Sequence, residues 1–357
     1  MRRFLTVLAV ASLVFGGCSS DDDSTETPMG GAGGADTSMG GDDAQGGDDA
    51  QGGDDAQGGD DAQGGDDAQG GDDAQGGDDT QTGDIVDVAV ANGFSILAQA
   101  LETAGLVDTL KGDGPFTVFA PTDAAFEAAL TALGITAEEL LARDDLATIL
   151  TYHVLGASVA STDLTDVQVV STVAELSAVV TSGTDGVMVN GAANVTTADV
   201  PASNGVIHIV DAVILPASIL ELATAYPDFT TLGAAVAAVP AVGETLAGEG
   251  PFTLFAPTDA AFAAAIEALE TTAEDLLARE DLGDILTYHA LASKVMAADV
   301  TTGDVATVNG ANITLTVADE GVTVNEANVT MTDIVGTNGV IHVIDGVLLP
   351  PAEETQD

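Results

Sequence analysis

Basic residues are almost missing from this chain. Its 357 residues include six Lys and Arg against 58 Asp and Glu, a formal net charge of −52. Gripping a phosphate backbone by counterion release needs Lys and Arg, so nucleic-acid binding is excluded. A polybasic membrane-surface mode is excluded for the same reason. Trp is absent and Tyr occurs three times, too few aromatic faces for a sugar-stacking lectin site. A single Cys leaves no intramolecular disulfide. No apolar run reaches the roughly 18 residues that a membrane-spanning helix requires. What remains is an acidic chain with length for about two ordinary domains.

The one Cys has a particular setting. Met1-Arg2-Arg3 is a short basic start and Phe4 to Phe15 is an apolar run that ends in Phe15-Gly16-Gly17-Cys18. The pattern resembles a bacterial lipoprotein signal, with 1–17 removed and Cys18 lipidated as the new terminus. Ser19 follows Cys18 where inner-membrane retention favours Asp, which points to the outer membrane. A triacylated Cys buries enough methylene groups, at about 0.8 kcal/mol each, to anchor the chain to a membrane. Residues 18–83 then read as a disordered tether. Gly40 to Gln81 is seven successive hexapeptides, six GGDDAQ and one GGDDTQ. None contains a large apolar residue to offset the entropy of ordering. Their Asp pairs lack EF-hand spacing, so only diffuse condensation of cations is expected. As a Gly-rich coil, a segment of this length spans about 45 Å.

The remainder is written twice. Phe116-Thr117-Val118-Phe119-Ala120-Pro121-Thr122-Asp123-Ala124-Ala125-Phe126 returns, with one change, at 252–262. Leu150-Thr151-Tyr152-His153 returns as Leu286-Thr287-Tyr288-His289, and Asn204-Gly205-Val206-Ile207-His208 as Asn338-Gly339-Val340-Ile341-His342. Two copies at so long a period mean tandem globular domains, expected at 84–217 and 218–351, with an acidic tail at 352–357. Of the acidic residues, 19 lie in 1–83 and 39 in 84–357, so each domain keeps a strongly negative surface. That surface disfavours anionic partners at low salt and predicts contacts that depend on divalent cations or on high ionic strength.

Each copy reads as helices followed by strands. Asp84 to Leu110 carries helical spacing with Asp84 as N-cap, and Phe116–Ala120 is a short strand. Thr122 or Asp123 is placed to cap the next helix. Thr136-x-x-Glu139, Thr271-x-x-Glu274 and Ser218-x-x-Glu221 have capping-box spacing. β-branched runs follow at 167–170, 176–181, 187–190, 194–197 and 206–215. Asn309-Gly310 predicts a two-residue type I′ hairpin between 305–308 and 313–317. The join between copies is short, so the two domains are expected to pack closely.

Taken together, FTVFAPTDAAF, the Tyr-His pair and the closing GVIHIVDAVILP resemble the signature segments of the fasciclin family, and the second copy repeats all three in order. The resemblance covers about 84–351. It implies an α+β fold, two tandem β-wedge domains flanked by helices, in an extracytoplasmic protein of adhesion or matrix interaction. It marks Thr122, Asp123, Tyr152, His153 and His208, with Thr258, Asp259, Tyr288, His289 and His342, as family-motif positions. Some family members use an Asp-Ile pair in partner recognition. Its counterparts here are Asp199-Val200 and Asp333-Ile334.

None of these residues assembles into a reactive set on paper. There is no nucleophile elbow, no HExxH and no phosphate loop. The expectation is therefore no catalysis, no cofactor and no bound metal. His153 and His289, on apolar helical faces, read as core histidines, whereas His208 and His342 sit on a strand face that is either solvent-facing or packed under a helix. The leading expectation is a lipid-anchored protein that binds an extracellular protein or polysaccharide. The alternative is a carrier of an apolar, carotenoid-like small molecule.

Overall fold

The computed structural model describes residues 83–351, apart from positions 185 and 320. The expected leader, Cys18, the GGDDAQ tether and the tail at 352–357 lie outside the described residues.

The first domain opens with helices α1 (Ile85–Ala91), α2 (Ser95–Ala104) and α3 (Val107–Leu110), and continues with α4 (Asp123–Leu133), α5 (Ala137–Leu141) and α6 (Leu146–Tyr152). The helical spacing over Asp84–Leu110 is thus broken into three pieces. Gly93 (φ +82°) and Gly105 (φ +67°) take left-handed conformations that end α1 and α2. Asp84 caps α1 by accepting from the Asp87 N–H, and Thr136 with Glu139 forms a reciprocal capping box on α5.

Seven strands complete the domain: β1 (Phe116–Pro121), β2 (Val154–Leu155), β3 (Val167–Ser171), β4 (Ser177–Gly183), β5 (Gly186–Val189), β6 (Ala193–Ala202) and β7 (Gly205–Val210). They pair in the order β2-β1-β7-β6-β5-β4-β3. The expected β-wedge is one hydrogen-bonded sheet, bent where the β6–β7 register slips between Val195 and Val200. A bridge between Leu155 and Thr172 joins its two ends and nearly closes it into a barrel. The strand expected over 206–215 stops at Val210, because Asp211 turns back to cap the neighbouring strand at Asn194.

β1 is buried on both faces, as a strand in a parallel pair must be. Val118 and Ala120 join Leu97, Leu101 and Phe126 in the helix-side core. Phe119 points the other way, into the barrel core with Tyr152, Val180 and Val210.

The second domain repeats the plan with α7 (Ile219–Ala225), α8 (Thr230–Ala238), α9 (Pro240–Leu246), α10 (Asp259–Ala268), α11 (Ala273–Leu277) and α12 (Leu282–Tyr288). Its strands are β8 (Phe252–Pro257), β9 (Ala290–Leu291), β10 (Gly303–Ala306), β11 (Asn312–Ala318), β12 (Gly321–Val324), β13 (Ala327–Gly336) and β14 (Gly339–Ile344). Ser218 and Glu221 form the expected capping box on α7.

Two local expectations fail in this copy. The box assigned to Thr271 and Glu274 sits one residue later: Thr272 caps α11 and accepts from the Asp275 N–H. Glu270, in a left-handed conformation at φ +50°, fills the place of Gly134 and sets that register. Nor does Asn309-Gly310 make a two-residue hairpin. β10 pairs with β11 up to Ala306 and Asn312, and the loop closes through Thr307 N–H to the Ala311 carbonyl at 3.0 Å. Val308 is drawn out of the hairpin to donate to the Ala290 carbonyl at 2.7 Å, and that contact closes the second barrel.

The domains share an apolar core. Val179 of β4 belongs to one buried cluster with Ile219, Leu222 and Ala223 of α7. Each domain's first helix is also pinned to its sheet by an Asn. Asn338 Oδ1 accepts from Ile219 N–H at 3.0 Å, while its Nδ2 donates to the Leu246 and Gly248 carbonyls. Asn204 makes the same three bonds to Ile85, Leu110 and Gly112.

Replacing Asn338 by Ala strands one buried donor and two acceptors, with an expected loss of about 3 kcal/mol in urea unfolding. Asn204→Ala, at a half-buried position where water can substitute, will lose about half as much.

Candidate functional site

The Tyr-His pair ends α6, and its two side chains point to opposite cores. Tyr152 enters the barrel, donates to the Ser177 carbonyl at 2.7 Å, and accepts from Asn190 Nδ2 at 2.8 Å. His153 lies 2% exposed on the helix side. Its Nδ1 contacts the Ile149 carbonyl at 2.7 Å, and its Nε2 accepts from the Ile214 N–H at 2.9 Å. With Nε2 occupied as acceptor, the proton is on Nδ1 and the ring is neutral. Burial lowers its pKa to about 4, against the opposing pull of the Ile149 carbonyl. His289 repeats this arrangement with Ile285 and Leu348, and burial likewise lowers it to about 4. Tyr288 donates to the Asn312 carbonyl.

His208 and His342 are neither solvent-facing nor tucked under a helix. Each is 2% exposed and tilts against a Phe of the adjacent parallel strand, Phe119 at 5.7 Å and Phe255 at 5.8 Å between ring centres. His208 Nδ1 accepts from the Asp199 N–H at 3.2 Å, and its Nε2 contacts the Val159 carbonyl at 2.9 Å. His342 does the same with Asp333 and Val295. Burial holds His342 below the usual imidazole range.

Asp199 and Asp333 therefore sit at the back of these histidines, both in left-handed backbone at φ +58° and +61°. The Asp199 carboxylate accepts from the Ser161 hydroxyl and N–H, and these bonds hold it below the ordinary carboxylate range. Asp333 accepts from Ala297 N–H at 2.8 Å. Val200 is half-buried against the helix-side core. Ile334 is 1% exposed and fully enclosed, so the Asp-Ile pair presents no aliphatic surface.

Thr122 and Asp123 divide a task that the sequence left ambiguous. Thr122 is the N-cap of α4 and accepts from the Ala125 N–H at 3.1 Å. Asp123 reaches across instead to the start of α2, where Phe94 supplies no side-chain cap, and accepts from Ile96 N–H and the Ser95 hydroxyl. Thr258 and Asp259 repeat the division at α10 and α8. Burial works to raise both Asp carboxyls, but these hydrogen bonds outweigh it and leave both below the ordinary value.

A fasciclin domain profile matches residues 92–216 and again 227–350. The chain belongs to the fasciclin domain family. Among curated relatives it is 48% identical over 137 residues to protein sll1483 of Synechocystis, covering 38% of this chain and 74% of that protein. It is 31% identical over 258 residues to the pig transforming growth factor-beta-induced protein ig-h3, covering 71% of this chain but 37% of the relative. Human periostin is 30% identical over 255 residues, 70% of this chain and 30% of its own length. A solved pair of such domains from the insect cell adhesion molecule fasciclin I covers 74% of this chain and 95% of that one, at 19% identity and a TM-score of 0.43.

Within this fasciclin pair the motif residues form a framework. Every titratable group named above is engaged with backbone or a neighbouring hydroxyl. No three metal-ligating side chains converge among the described residues. The apolar cavities that reach His153 and His289 are about 20 and 10 Å³, room for a water and far too small for a carotenoid-like ligand.

Framework residues that sequence reasoning passed over are identical in the two copies. They are Asn204 and Asn338, Asn190 and Asn325, and Thr117 and Thr253, whose hydroxyls tie down the loops after β2 and β9. Their presence at matched positions was the available signal.

Basic side chains are spent locally. Lys111 pairs with Asp84 and Asp87, Arg143 with Asp145 and Arg279 with Asp281. Among the described residues only Lys294 has no ion pair, so the surface carries no cationic patch.

Acid will loosen this framework in a defined window. Unfolded imidazoles titrate near 6.5, whereas His153 and His289 in the fold are held to about 4. The fold binds the neutral form, so their contribution is complete above pH 6.5. It falls as pH drops from about 6.5 to about 4 and is flat below, amounting to roughly 3 kcal/mol per histidine. Urea midpoints taken across that range will decline steadily, and a His153→Gln/His289→Gln variant will be less stable at neutral pH and show a distinctly shallower decline.

Proposed function

We propose that this chain is a non-catalytic adhesion or matrix-interaction protein of the cell envelope. Lipidated Cys18 anchors it, the GGDDAQ segment spaces it from the membrane, and two fasciclin domains bind an extracellular protein or polysaccharide. Fasciclin domains occur in adhesion and matrix proteins, which fits a non-catalytic interaction role. The observation that carries this reading is that both copies spend their family-motif polar residues on the framework, leaving recognition to the outer surface.

That surface has one apolar feature common to both copies. Leu133 and Leu215 of the first domain are 44% exposed, and their counterparts Leu269 and Leu349 are 40% and 45% exposed. Leu133 and Leu215 rim one shallow groove with Ala129 and Leu130. Against an acidic background these leucines supply contact area, while divalent cations bridge the negative surface to anionic partners. Ser19 after Cys18 supports placement at the outer membrane.

Four outcomes test the proposal in the source organism. Cys18→Ser will move the protein from the membrane fraction to the soluble fraction. Loss of 84–351 will abolish attachment of cells to matrix or to one another, and undiminished attachment in that strain would discard the adhesive role. Substituting all four exposed leucines by Ser will weaken attachment on the order of tenfold with little change in the unfolding midpoint, since surface changes typically move stability by under about 0.5 kcal/mol each. Chelation of divalent cations will release wild-type attachment to an anionic matrix.

A further inference from the structure

The junction between the domains joins two different faces. The outer face of β3 and β4 in the first domain meets α7 and β13 of the second. Val179, fully buried, is the centre of the first face, and its cross-strand neighbour Val169 and next-but-one residue Val167 pack on the same cluster. Beside them Ser177 Oγ accepts from Val335 N–H at 2.9 Å. Gly191 lies beside α7, where an added Cβ would sit in ordinary contact with Ala225 at 3.8 Å.

Because the two domains share one fold, each face of this junction has a counterpart on the opposite domain. Strand register identifies the residues. Val169 opposite Val179 corresponds to Asp304 opposite Thr314. Continuing that register, Val167 corresponds to Thr302 and Ser177 to Asn312. All four second-domain residues are exposed, and Thr314 donates to the Asp304 carboxylate at 2.7 Å. On the other side Val335, opposite Val340, corresponds to Pro201, opposite Val206. Pro201 is exposed and has no N–H to give to a serine.

The differences fall on the contact positions and act against repetition. Docking another copy on β10 and β11 would bury the Asp304 carboxylate and the Thr314 hydroxyl against aliphatic side chains, a heavy desolvation penalty. Docking the first domain through Pro201 would leave the partner's hydroxyl without its donor. A heterologous interface of this kind builds rings or open chains unless at least one outward face is blocked, and here both are.

We infer that the domain junction is encoded at positions where the two copies differ, and that both outward counterparts are closed to a second copy of this chain. The molecule is a self-terminated pair held as one body, with no head-to-tail assembly. This inference stands apart from the adhesive role, which concerns other surfaces.

Sedimentation of the full chain carrying Cys18→Ser, so that no acyl group contributes, reads the outcome. The chain is expected to run at the mass of one copy at every concentration. Adding Thr302→Val, Asp304→Val, Thr314→Val and Pro201→Val installs the missing aliphatic contacts and the missing backbone N–H, and will produce concentration-dependent dimers and longer chains. Val179→Asp will split the single thermal transition into two and speed proteolysis between 211 and 218 on the order of tenfold. Thr314→Asp, at the equivalent position of the second domain, will change neither. Should Val179→Asp not fold, Val179→Thr, the residue the second copy uses, gives the same readout in milder form. Self-association of the unaltered chain, a four-site variant that stays single, or a junction insensitive to residue 179 would each overturn the inference.

Discussion

Each domain hangs on an uncharged imidazole. His153 and His289 terminate the last helix of their helical layers, and each ring accepts from a backbone N–H in the chain that leaves the central parallel strand, Ile214 or Leu348. The same ring closes its own helix by donating to the carbonyl four residues back. Only a neutral ring with the proton on Nδ1 can do both. Tyr152 and Tyr288, one residue earlier, perform the matching task in the barrel core. The adjacent pair thus fastens helix layer to sheet from both sides of one backbone. Phe119 and Phe255 can then sit against His208 and His342, and the bulged β6 and β13 can wrap around them.

Much of this was legible because the sequence states it twice. The parallel strands announce themselves as apolar runs bracketed by Pro and Gly, and the Thr136-x-x-Glu139 and Ser218-x-x-Glu221 boxes fall where helices begin. What escaped the sequence was contact over long separation. Asp123 looks like a cap for its own helix, yet it caps one that starts 28 residues earlier, since Phe94 leaves that start uncapped. His208 carries a polar ring on a strand whose alternation reads as half-exposed. Only barrel closure, through the Leu155–Thr172 bridge, turns that face inward. The Asn309-Gly310 hairpin failed for the same reason, because the loop residue Val308 serves a distant strand end rather than the local turn.

Comparing the copies separates two kinds of constraint. Positions that match, such as Asn204 with Asn338 or Thr117 with Thr253, serve the fold. Positions that diverge in character, such as Val169 with Asp304 or Val335 with Pro201, record where each copy stands in the pair. Part of the acidic charge serves the fold, as in Asp123 and Asp259. The rest lies on solvent-facing positions, where it keeps the surface hydrated.

The entry point of the chain has a mechanical meaning. Gly83 accepts from the Ser203 N–H at 3.1 Å and Ile85 N–H is held by Asn204, so the first described residues are clipped to the turn that begins β7. Ala217 and Ile219 are clipped to Thr337 and Asn338 in the same way. Tension arriving through residue 83 therefore passes straight into the central parallel strand pair and bypasses the helical layer. Load moving on through the connection at 211–218 meets an identical clip before it reaches the second barrel. Each clip is a short shear joint, and the helices packed outside carry little of the strain.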